Sequence, residues 1–352
     1  MTNIKPRKAV LEMDEYRPPI EGRRGLLRLD FNENTIGCSP KVLYAINKIK
    51  EEEVASYPEY SKFKTKLALY LKIKKEQLMV SNATDEAIMV IMQTYIDDGD
   101  EVIIPVPTFA MFKFYAQLAG ARIKEILYNP NLSFPAKKVI DSISKKSKLV
   151  VLCNPNNPTG TLIDRKDIIR IIEKAGEKDC LVLLDEAYYQ YSGAECLDLL
   201  PKYDNLIIIR TFSKAYGMGG IRLGYAVASE SIMKNLLKAQ SPYSVNTIAI
   251  AAGSKAIEDQ RYVDWYVSEV KKAKEMLYSA LDKMKVKTFA SAGNFLIAKL
   301  PGRAQEIEDK LKAKGILVRN RSNDPLLKDC IRIGVGTIKQ TEQLIEALKE
   351  AL

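Results

Sequence analysis

The sequence contains no histidine among its 352 residues. This absence excludes a serine–histidine–aspartate triad, a histidine-based zinc site and a histidine general base. Acid–base chemistry must therefore use lysine, tyrosine, aspartate, glutamate or cysteine. The five cysteines are widely spaced, and none of them forms a C-x-x-C pair. We therefore expect free or buried thiols rather than a disulfide framework or a metal site.

Long hydrophobic runs are also missing. No apolar stretch approaches the length of a membrane span, and residues 1–7 are polar and basic with no apolar segment behind them. We therefore expect a cytoplasmic protein that does not enter a membrane. The net charge of +10 would suit nucleic-acid binding, but the lysines alternate with acidic residues, as in residues 48–53, which is typical of solvated helix faces. We expect no nucleic-acid partner and a field that attracts anionic ligands.

The middle of the chain alternates between strand and helix patterns. The predicted strands are short and apolar, at residues 78–81, 101–104, 122–127, 148–153, 181–184, 206–210 and 224–228. Helical patterns lie before and between them, at residues 39–50, 61–72, 84–96, 108–118 and 164–177. This alternation predicts an α/β fold with a mostly parallel sheet covered by helices on both faces.

After residue 241 the pattern changes. A long helical region at 247–284 is followed by strand patterns at 285–289, 294–299, 316–319 and 331–335, with helices at 304–314 and from 337 onwards. This order predicts a smaller α+β domain. We therefore divide the chain into an N-terminal arm (1–30), a large domain (31–240) and a small C-terminal domain (241–352).

The segment 211–225 carries the most informative chemistry. Lys214 stands among small residues, with Ser213 before it and Arg222 eight positions later. Upstream, Asp185 ends an apolar strand pattern. An amine nucleophile, an anion clamp and a carboxylate together suggest a site for pyridoxal phosphate, because that cofactor needs a lysine for its Schiff base, an acid opposite its pyridine nitrogen and donors for its phosphate.

The predicted positions of these residues support one common site. Ligands of open α/β sheets bind beyond the carboxyl ends of the strands. Residues 82–84 follow one predicted strand and open a helix, whose backbone N–H groups could hold a phosphate. Phe109, residues 154–160, Asp185 and residues 211–214 each follow or end another predicted strand.

The chain resembles the pyridoxal-phosphate-dependent aminotransferases of fold type I, and among these the histidinol-phosphate aminotransferase family. The resemblance rests on six motifs, spread in order over nearly the whole chain, at residues 29–34, 85–88, 157–160, 185–188, 211–225 and 332–337. It implies a large domain with a mostly parallel seven-stranded sheet, a small C-terminal α+β domain, and a homodimer with shared active sites.

The resemblance also implies roles for the residues around the cofactor ring. Lys214 would bind the cofactor covalently and act as the acid–base catalyst, which requires a lowered pKa. Asp185 would pair with the pyridine nitrogen, and Tyr188 and Asn157 would bind the phenolic oxygen of the ring. Phe109 would stack on the ring, although core packing explains a lone aromatic residue equally well. Taken alone, Asp185 could instead be a helix N-cap.

The cofactor phosphate would be bound by a second group of residues. These are Ser213 and Arg222, with Thr211 and the helix-opening residues Ala83, Thr84 and Asp85. The family often has glycine in place of Ala83 and usually tyrosine in place of Phe109. Tyr57 would reach the phosphate in the partner subunit, but its sequence context fits a packed surface tyrosine as well.

Four residues are implied in substrate binding. Arg332 and Arg319 would bind the anionic end of the substrate, a phosphate or a carboxylate, with Asn32 and Tyr16 in the same pocket. Ordinary surface roles fit Arg319 and Tyr16 equally well.

The implied reaction moves an amino group between L-histidinol phosphate and 2-oxoglutarate, giving imidazole-acetol phosphate and L-glutamate. An aromatic or broad-specificity aminotransferase is the nearest alternative, because both arginines could bind a carboxylate and Phe109 suits an aromatic ring. A phosphothreonine decarboxylase-like lyase fits the motifs at 29–34 and 85–88 less well. A regulator that combines this fold with a DNA-binding domain is a further alternative, but the fold pattern starts too early for us to expect one.

Overall fold

A seven-stranded sheet forms the centre of the protein in a computed structural model, which describes residues 4–15 and 18–352. Its strands lie in the order β2–β8–β7–β6–β5–β3–β4. They are β2 (Leu78–Ser81), β3 (Glu101–Val106), β4 (Arg122–Leu127), β5 (Ser147–Cys153), β6 (Leu181–Asp185), β7 (Leu206–Thr211) and β8 (Gly224–Ala228). Only β8 runs antiparallel to its neighbours, β2 and β7. The predicted α/β fold with a mostly parallel seven-stranded sheet is confirmed.

Both faces of the inner part of this sheet are buried, so its inner strands are mostly apolar, whereas the edge strand β4 is partly exposed and carries Arg122, Lys124 and Glu125. Along β6, Val182 and Leu184 belong to one hydrophobic cluster, whereas Leu183 between them belongs to the other. The same alternation occurs along β7, where Ile208 and Ile209 lie in opposite clusters. Successive side chains of these strands therefore point into two different hydrophobic clusters, as expected of a strand that lies between two layers of helices.

The helices cover the sheet and the C-terminal region. They are α1 (Lys8–Leu11), α2 (Pro40–Asn47), α3 (Glu51–Ala55), α4 (Ser61–Leu71), α5 (Ala83–Tyr95), α6 (Ala110–Ala119), α7 (Ala136–Ser142), α8 (Arg165–Gly176), α9 (Tyr189–Ser192), α10 (Glu230–Ala239), α11 (Thr247–Ala256), α12 (Gln260–Lys283), α13 (Ala304–Ala313) and α14 (Ile338–Ala351). Helix α8 buries Ile168, Ile171, Ile172 and Ala175, the spacing expected of one helical face. Within residues 4–15 and 18–352, no helix combines the length and apolar composition needed to cross a membrane.

A second sheet is built mainly from the C-terminal region. The remaining strands are β1 (Leu27–Arg28), β9 (Lys287–Phe289), β10 (Phe295–Lys299), β11 (Ile316–Leu317), β12 (Arg319–Asn320) and β13 (Cys330–Gly334). Strands β12–β13–β10–β9 form an antiparallel sheet, while β1 pairs with β11 in parallel. The N-terminal segment thus joins elements that lie far away in sequence.

Two sequence expectations about elements were wrong, and some helices were not predicted. The helical region 247–284 is two helices, because the chain turns at residues 257–259 between α11 and α12. The strand expected at 316–319 is divided into β11 and β12, which pair with different partners. Helix α10 was not predicted, although Ile232, Met233 and Leu236 bury one face of it.

Candidate active site

The carboxyl ends of neighbouring strands bring the predicted functional residues to one edge of the sheet. Cys153 on β5 lies opposite Asp185 on β6, and Thr211 on β7 lies opposite Gly224 at the start of β8. A Cβ atom at Gly224 would lie 2.8 Å from the backbone nitrogen of Thr84. The absence of a side chain there lets the first turn of α5 approach the sheet edge closely.

One cavity lies at this edge. It is lined by Ala83, Thr84, Asp85, Phe109, Cys153, Asn157, Asp185, Ala187, Tyr188, Thr211, Ser213, Lys214 and Arg222. The structure therefore places every predicted cofactor residue except Tyr57 around a single space. It adds Cys153 and Ala187, which the sequence reasoning did not single out.

Lys214 lies on the turn that follows β7. Its Nζ donates a hydrogen bond to the backbone oxygen of Phe31 at 2.9 Å. Burial of the amine and the nearby positive charge of Arg332 lower the pKa of Lys214 to about 8. A lysine with this pKa is partly unprotonated near neutral pH and can act as a nucleophile or a base.

Asp185 ends β6, lines the same cavity and is only 2% exposed. One carboxylate oxygen accepts the backbone N–H of Ala187 at 2.8 Å. Burial raises the pKa of Asp185 to about 7, while the Ala187 hydrogen bond acts in the opposite direction. A protonated ring nitrogen placed against such a buried carboxyl group would lower its pKa and favour its ionised form.

Tyr188 and Asn157 connect the cavity to two other segments. The Tyr188 hydroxyl accepts a hydrogen bond from the side-chain amide of Asn32 at 3.0 Å, and its ring centre is 5.6 Å from Nζ of Lys214. Burial raises the pKa of Tyr188, so the phenol stays protonated at neutral pH. The side-chain oxygen of Asn157 accepts a hydrogen bond from Arg332.

The first turn of α5 offers donors for an anion. Asn82 at the N-cap position makes no capping bond with its side chain, so the first backbone N–H groups of α5 are left for another acceptor. Arg222 stands beside this turn, where it pairs with Asp85 at 2.7 Å. The backbone N–H of Ser213 donates to the side chain of Thr211 at 3.0 Å. These donors suit a phosphate group.

The lining therefore fits pyridoxal phosphate in its chemistry. It combines an amine of lowered pKa, a buried carboxyl group and an anion-binding helix start, which are the three features that this cofactor requires. Phe109 borders the cavity and packs edge-on against Phe112 with ring centres 5.7 Å apart. Both the stacking role and the packing role predicted for Phe109 thus remain compatible with its position.

The arginines predicted to bind substrate lie in the C-terminal sheet. Arg332 on β13 is buried and donates to the backbone oxygen of Asp30, while Arg319 on β12 is its cross-strand partner. Burial and the positive charges of Arg321 and Arg319 lower the pKa of Arg332 to about 10. Such a concentration of positive charge favours an anionic ligand.

The other predicted substrate residues lie in different surroundings. Arg319 lines a separate cavity together with Arg23 and Asp30, on the side of the N-terminal segment. Asn32 is buried and reaches the cofactor cavity through Tyr188. Tyr16 lies outside the described residues.

Tyr57 does not line the cavity of its own chain. Its side chain is 76% exposed and stacks on Tyr243, with ring centres 4.4 Å apart. The sequence expectation that Tyr57 acts in a partner subunit requires such an outward position.

The side chain of Cys153 and the backbone oxygens of Asp30 and Phe31 are parts of the site that are hard to predict from sequence. Cys153 directly precedes the 154–160 motif and neighbours Asp185, so a correct strand order would have indicated it. Phe31 and Asp30 contact Lys214 and Arg332 through backbone oxygens. No pattern of side-chain types reports such a contact.

A lysine and a buried carboxyl group facing an anion-binding helix start, at the carboxyl edge of an α/β sheet, define a pyridoxal-phosphate-dependent transferase. The chain belongs to the family of class I and II aminotransferases, which residues 24–348 match. The family membership confirms the predicted enzyme class, the fold and the pyridoxal phosphate cofactor.

Individual relatives give a finer comparison. The chain is 35% identical to histidinol-phosphate aminotransferase 1 of Bacillus cereus, over 94% of this chain and 90% of that protein. It is 34% identical to the histidinol-phosphate aminotransferase of Methanocaldococcus jannaschii, over 93% of this chain and 89% of that protein. The solved histidinol-phosphate aminotransferase of Sinorhizobium meliloti, in complex with pyridoxal-5'-phosphate, superposes with a TM-score of 0.90 at 24% identity, covering 100% of this chain and 98% of that one.

Proposed function

We propose that this aminotransferase acts on L-histidinol phosphate and 2-oxoglutarate, giving imidazole-acetol phosphate and L-glutamate. The observation that carries the proposal is the buried guanidinium of Arg332, which is hydrogen-bonded to Asn157 of the Lys214 cavity and lies in the field of Arg319 and Arg321. Both substrates are anionic, and Arg332 supplies a cation for a phosphate or a carboxylate. The names of the relatives at 34–35% identity agree with this substrate.

The residues around the cofactor have separate tasks. When bound, the cofactor supplies an electron sink for the carbon that loses its proton. Asp185 would keep the ring nitrogen protonated, and Tyr188 and Asn157 would bind the phenolic oxygen. Ser213, Arg222 and the start of α5 would hold the phosphate, with Ala83, Thr84, Asp85 and Thr211 around them.

Lys214 moves the proton. In its unprotonated form, Nζ removes the proton from the substrate carbon that bears the amino group, and it returns a proton during the second half of the reaction. The pKa of about 8 leaves both protonation states accessible near neutral pH. The backbone oxygen of Phe31 holds the amine on the substrate side of the cavity when Lys214 is free.

Mixing the cofactor-loaded protein with L-histidinol phosphate, and following the cofactor absorbance in single-turnover conditions, tests the proposal. We expect a fast spectral change that 2-oxoglutarate reverses, and a slower one with L-phenylalanine or L-tyrosine. A faster reaction with the aromatic amino acids would favour the aromatic alternative instead. Release of carbon dioxide without formation of a keto product would indicate a lyase. Reduction with borohydride should attach the cofactor to Lys214, and Lys214→Ala is the matched control.

A homodimer with shared active sites forms part of the proposal. Exposed apolar side chains cover neighbouring segments in and around α2, α3 and α11, namely Leu43, Tyr44, Val54, Tyr57, Tyr243 and Ile248. A large exposed apolar surface is unusual for a monomer and typical of an interface. Tyr57 lies within it, with its hydroxyl group available to a second chain.

Complementation between inactive variants tests the shared site. A dimer of one Lys214→Ala chain and one Tyr57→Ala chain contains one site with both native residues only if Tyr57 acts across the interface. Co-expression should then restore cofactor affinity and turnover in that site. If Tyr57 acted within its own chain, every site would lack one residue and the mixture would stay impaired.

The division into an arm (1–30), a large domain (31–240) and a small domain (241–352) also remains a proposal, as does a cytoplasmic location. The separate C-terminal sheet supports the division. Limited proteolysis with mass spectrometry would test it, because cleavage should concentrate near residue 241, where α10 and α11 are joined by a loop.

A further inference from the structure

Residues 30–33, here called the 30–33 segment, contact several functional side chains. The backbone oxygen of Phe31 accepts the hydrogen bond from Nζ of Lys214, and the amide of Asn32 donates to the Tyr188 hydroxyl. The segment therefore sets the position of both the amine and the phenol.

The same segment reaches the substrate side. The backbone oxygen of Asp30 accepts a hydrogen bond from Arg332, and the backbone oxygen of Asn32 accepts one from the side chain of Asn294. A displacement of the 30–33 segment would thus move the catalytic amine and the anion-binding arginine together.

The backbone of this segment is not held by regular secondary structure. It lies between β1 and α2, and Asn32 adopts a φ of 54° in the left-handed region. Asparagine tolerates this conformation better than most residues with a side chain, and no backbone ladder constrains it here. The contacts of the segment must therefore supply its order.

Arg23 supplies the densest set of those contacts. Its guanidinium donates two hydrogen bonds to the carboxylate of Asp30, at 2.9 and 2.7 Å, and two to the carboxylate of Glu33, at 2.7 and 3.4 Å. Its central carbon also lies 4.1 Å from the ring centre of Phe31. The Arg23 side chain is only 13% exposed, so these bonds are protected from water.

We infer that Arg23 is a positioning residue for the transamination reaction: by binding Asp30, Phe31 and Glu33 at once, it fixes the segment that holds Lys214, Tyr188 and Arg332. Arg23 does not line the cofactor cavity, so we assign its effect on Lys214 and Tyr188 to that segment. The inference rests on the proposed function, in which Lys214 is the acid–base group.

The charges around Lys214 give this role an electrostatic signature. The charged groups that act on its amine are Arg332, Glu33, Asp85, Arg222 and Asp185. Burial and Arg332 lower the pKa of Lys214, whereas Glu33 acts to raise it. Arg23 and Arg28 both form ion pairs with Glu33, and Arg23 also pairs with Asp30, so Arg23 supplies part of the positive charge that offsets these carboxylates. Loss of the Arg23 charge should therefore raise the pH midpoint at which the Lys214–cofactor link changes its absorbance.

Arg23→Met tests the inference, with Arg24→Met as the matched control, because Arg24 is the adjacent residue, is exposed and loses the same charge. In the cofactor-loaded enzyme, we expect Arg23→Met to slow the single turnover with L-histidinol phosphate by tenfold or more, since small misplacements of catalytic groups cost up to about 100-fold. The cofactor dissociation constant should change less than threefold, and the absorbance midpoint should move to higher pH.

Arg23→Lys separates charge from geometry. Lysine keeps the positive charge but cannot bridge two carboxylates with a planar fork. We expect Arg23→Lys to slow the turnover and to leave the pH midpoint of the absorbance unchanged. If Arg23→Met does not fold, Arg23→Lys is the variant that tests the inference. The inference would be overturned if Arg23→Lys turned over at the wild-type rate and Arg23→Met kept the wild-type absorbance midpoint. It would also be overturned if Arg23→Met behaved like the control Arg24→Met. A wild-type enzyme that fails to react with any amino donor would instead overturn the proposed function.

Discussion

The guanidinium of Arg332 donates a hydrogen bond to the side-chain oxygen of Asn157, and so joins the C-terminal sheet to the loop that follows β5. The same guanidinium donates to the backbone of Asp30. One buried cation thus connects the cofactor side of the site, the N-terminal segment and the small sheet.

Replacing Arg332 by lysine should impair the enzyme although the charge is kept. The compact ammonium group of lysine lacks the planar fork of a guanidinium, so it cannot donate hydrogen bonds to Asn157, to Asp30 and to an anionic substrate at the same time. Loss of a charge-assisted hydrogen bond costs about 1.5–3 kcal/mol, so kcat/KM for L-histidinol phosphate should fall about 10–100-fold. Steady-state kinetics measure this, with Arg24→Lys as a surface control. An unchanged kcat/KM would contradict the role of Arg332.

Ala83 is a position where glycine should stabilise the protein. Its φ of 61° lies in the left-handed region, which costs an L-residue about 1–2 kcal/mol. Glycine removes this cost, but it also gives the unfolded chain more conformational freedom, which lowers the free energy of unfolding by about 0.4–1 kcal/mol. We therefore expect Ala83→Gly to raise the free energy of unfolding by about 0.5–1 kcal/mol in urea denaturation. Ala87→Gly, within the same helix, should have the opposite effect, and equal signs for both variants would refute the explanation.

A fully buried ion pair lies directly behind the cofactor site. Arg210 donates to Glu186 at 2.6 and 2.8 Å, and Glu186 is the residue that follows Asp185. Removing one partner leaves a buried charge, so Arg210→Met should lower the free energy of unfolding by about 3–5 kcal/mol. The double variant Glu186→Gln with Arg210→Met should recover most of the loss. A double variant no more stable than Arg210→Met would show that packing, and not charge, sets the cost.

The carboxyl group of Asp185 should make the cofactor-free protein less stable as the pH rises from about 4 to about 7. Burial raises its pKa to about 7, so the folded state keeps a proton that the unfolded chain has already released near pH 4. This group therefore lowers the free energy of unfolding by about 1.4 kcal/mol per pH unit in that window.

Asp185→Asn should abolish this contribution, and its stability relative to wild type should rise up to pH 7 and then level off. Urea denaturation at several pH values measures the difference. The exposed Asp309→Asn is a matched control that should show no such trend. A parallel pH dependence in Asp185→Asn and wild type would disprove the shifted pKa, and bound cofactor should reduce the difference.

The sheet could be predicted from the sequence because its strands carry a signal that no other element shares. Strands such as Leu78–Ser81 and Gly224–Ala228 are apolar on both faces and bounded by polar or small residues. The position of the proposed site followed from the same pattern, since Ala83, Phe109, Asn157, Asp185 and Lys214 lie at or after the ends of strands. What remained hidden was the break between α11 and α12, where the helical period continues across the turn.

The parts of the site that sequence could not predict act through backbone atoms or through distant side chains. Phe31 contributes a carbonyl oxygen, which any residue type would offer. Arg23 acts through the fold of its neighbours and not through a motif. Tyr57 is exposed and does not line the cavity of its own chain, so the role proposed for it requires a second chain.

The pairing of β1 with β11 has a consequence for how the enzyme is made. Leu27 pairs with Ile316, and Leu29 bonds to Gly334, so the opening of the chain is held by its last tenth. During synthesis on the ribosome, the central sheet can form early, but the strand that leads into the catalytic cleft has no partner until translation is nearly finished. A nascent or prematurely terminated polypeptide would therefore fold its cofactor platform and still be unable to catalyse transfer.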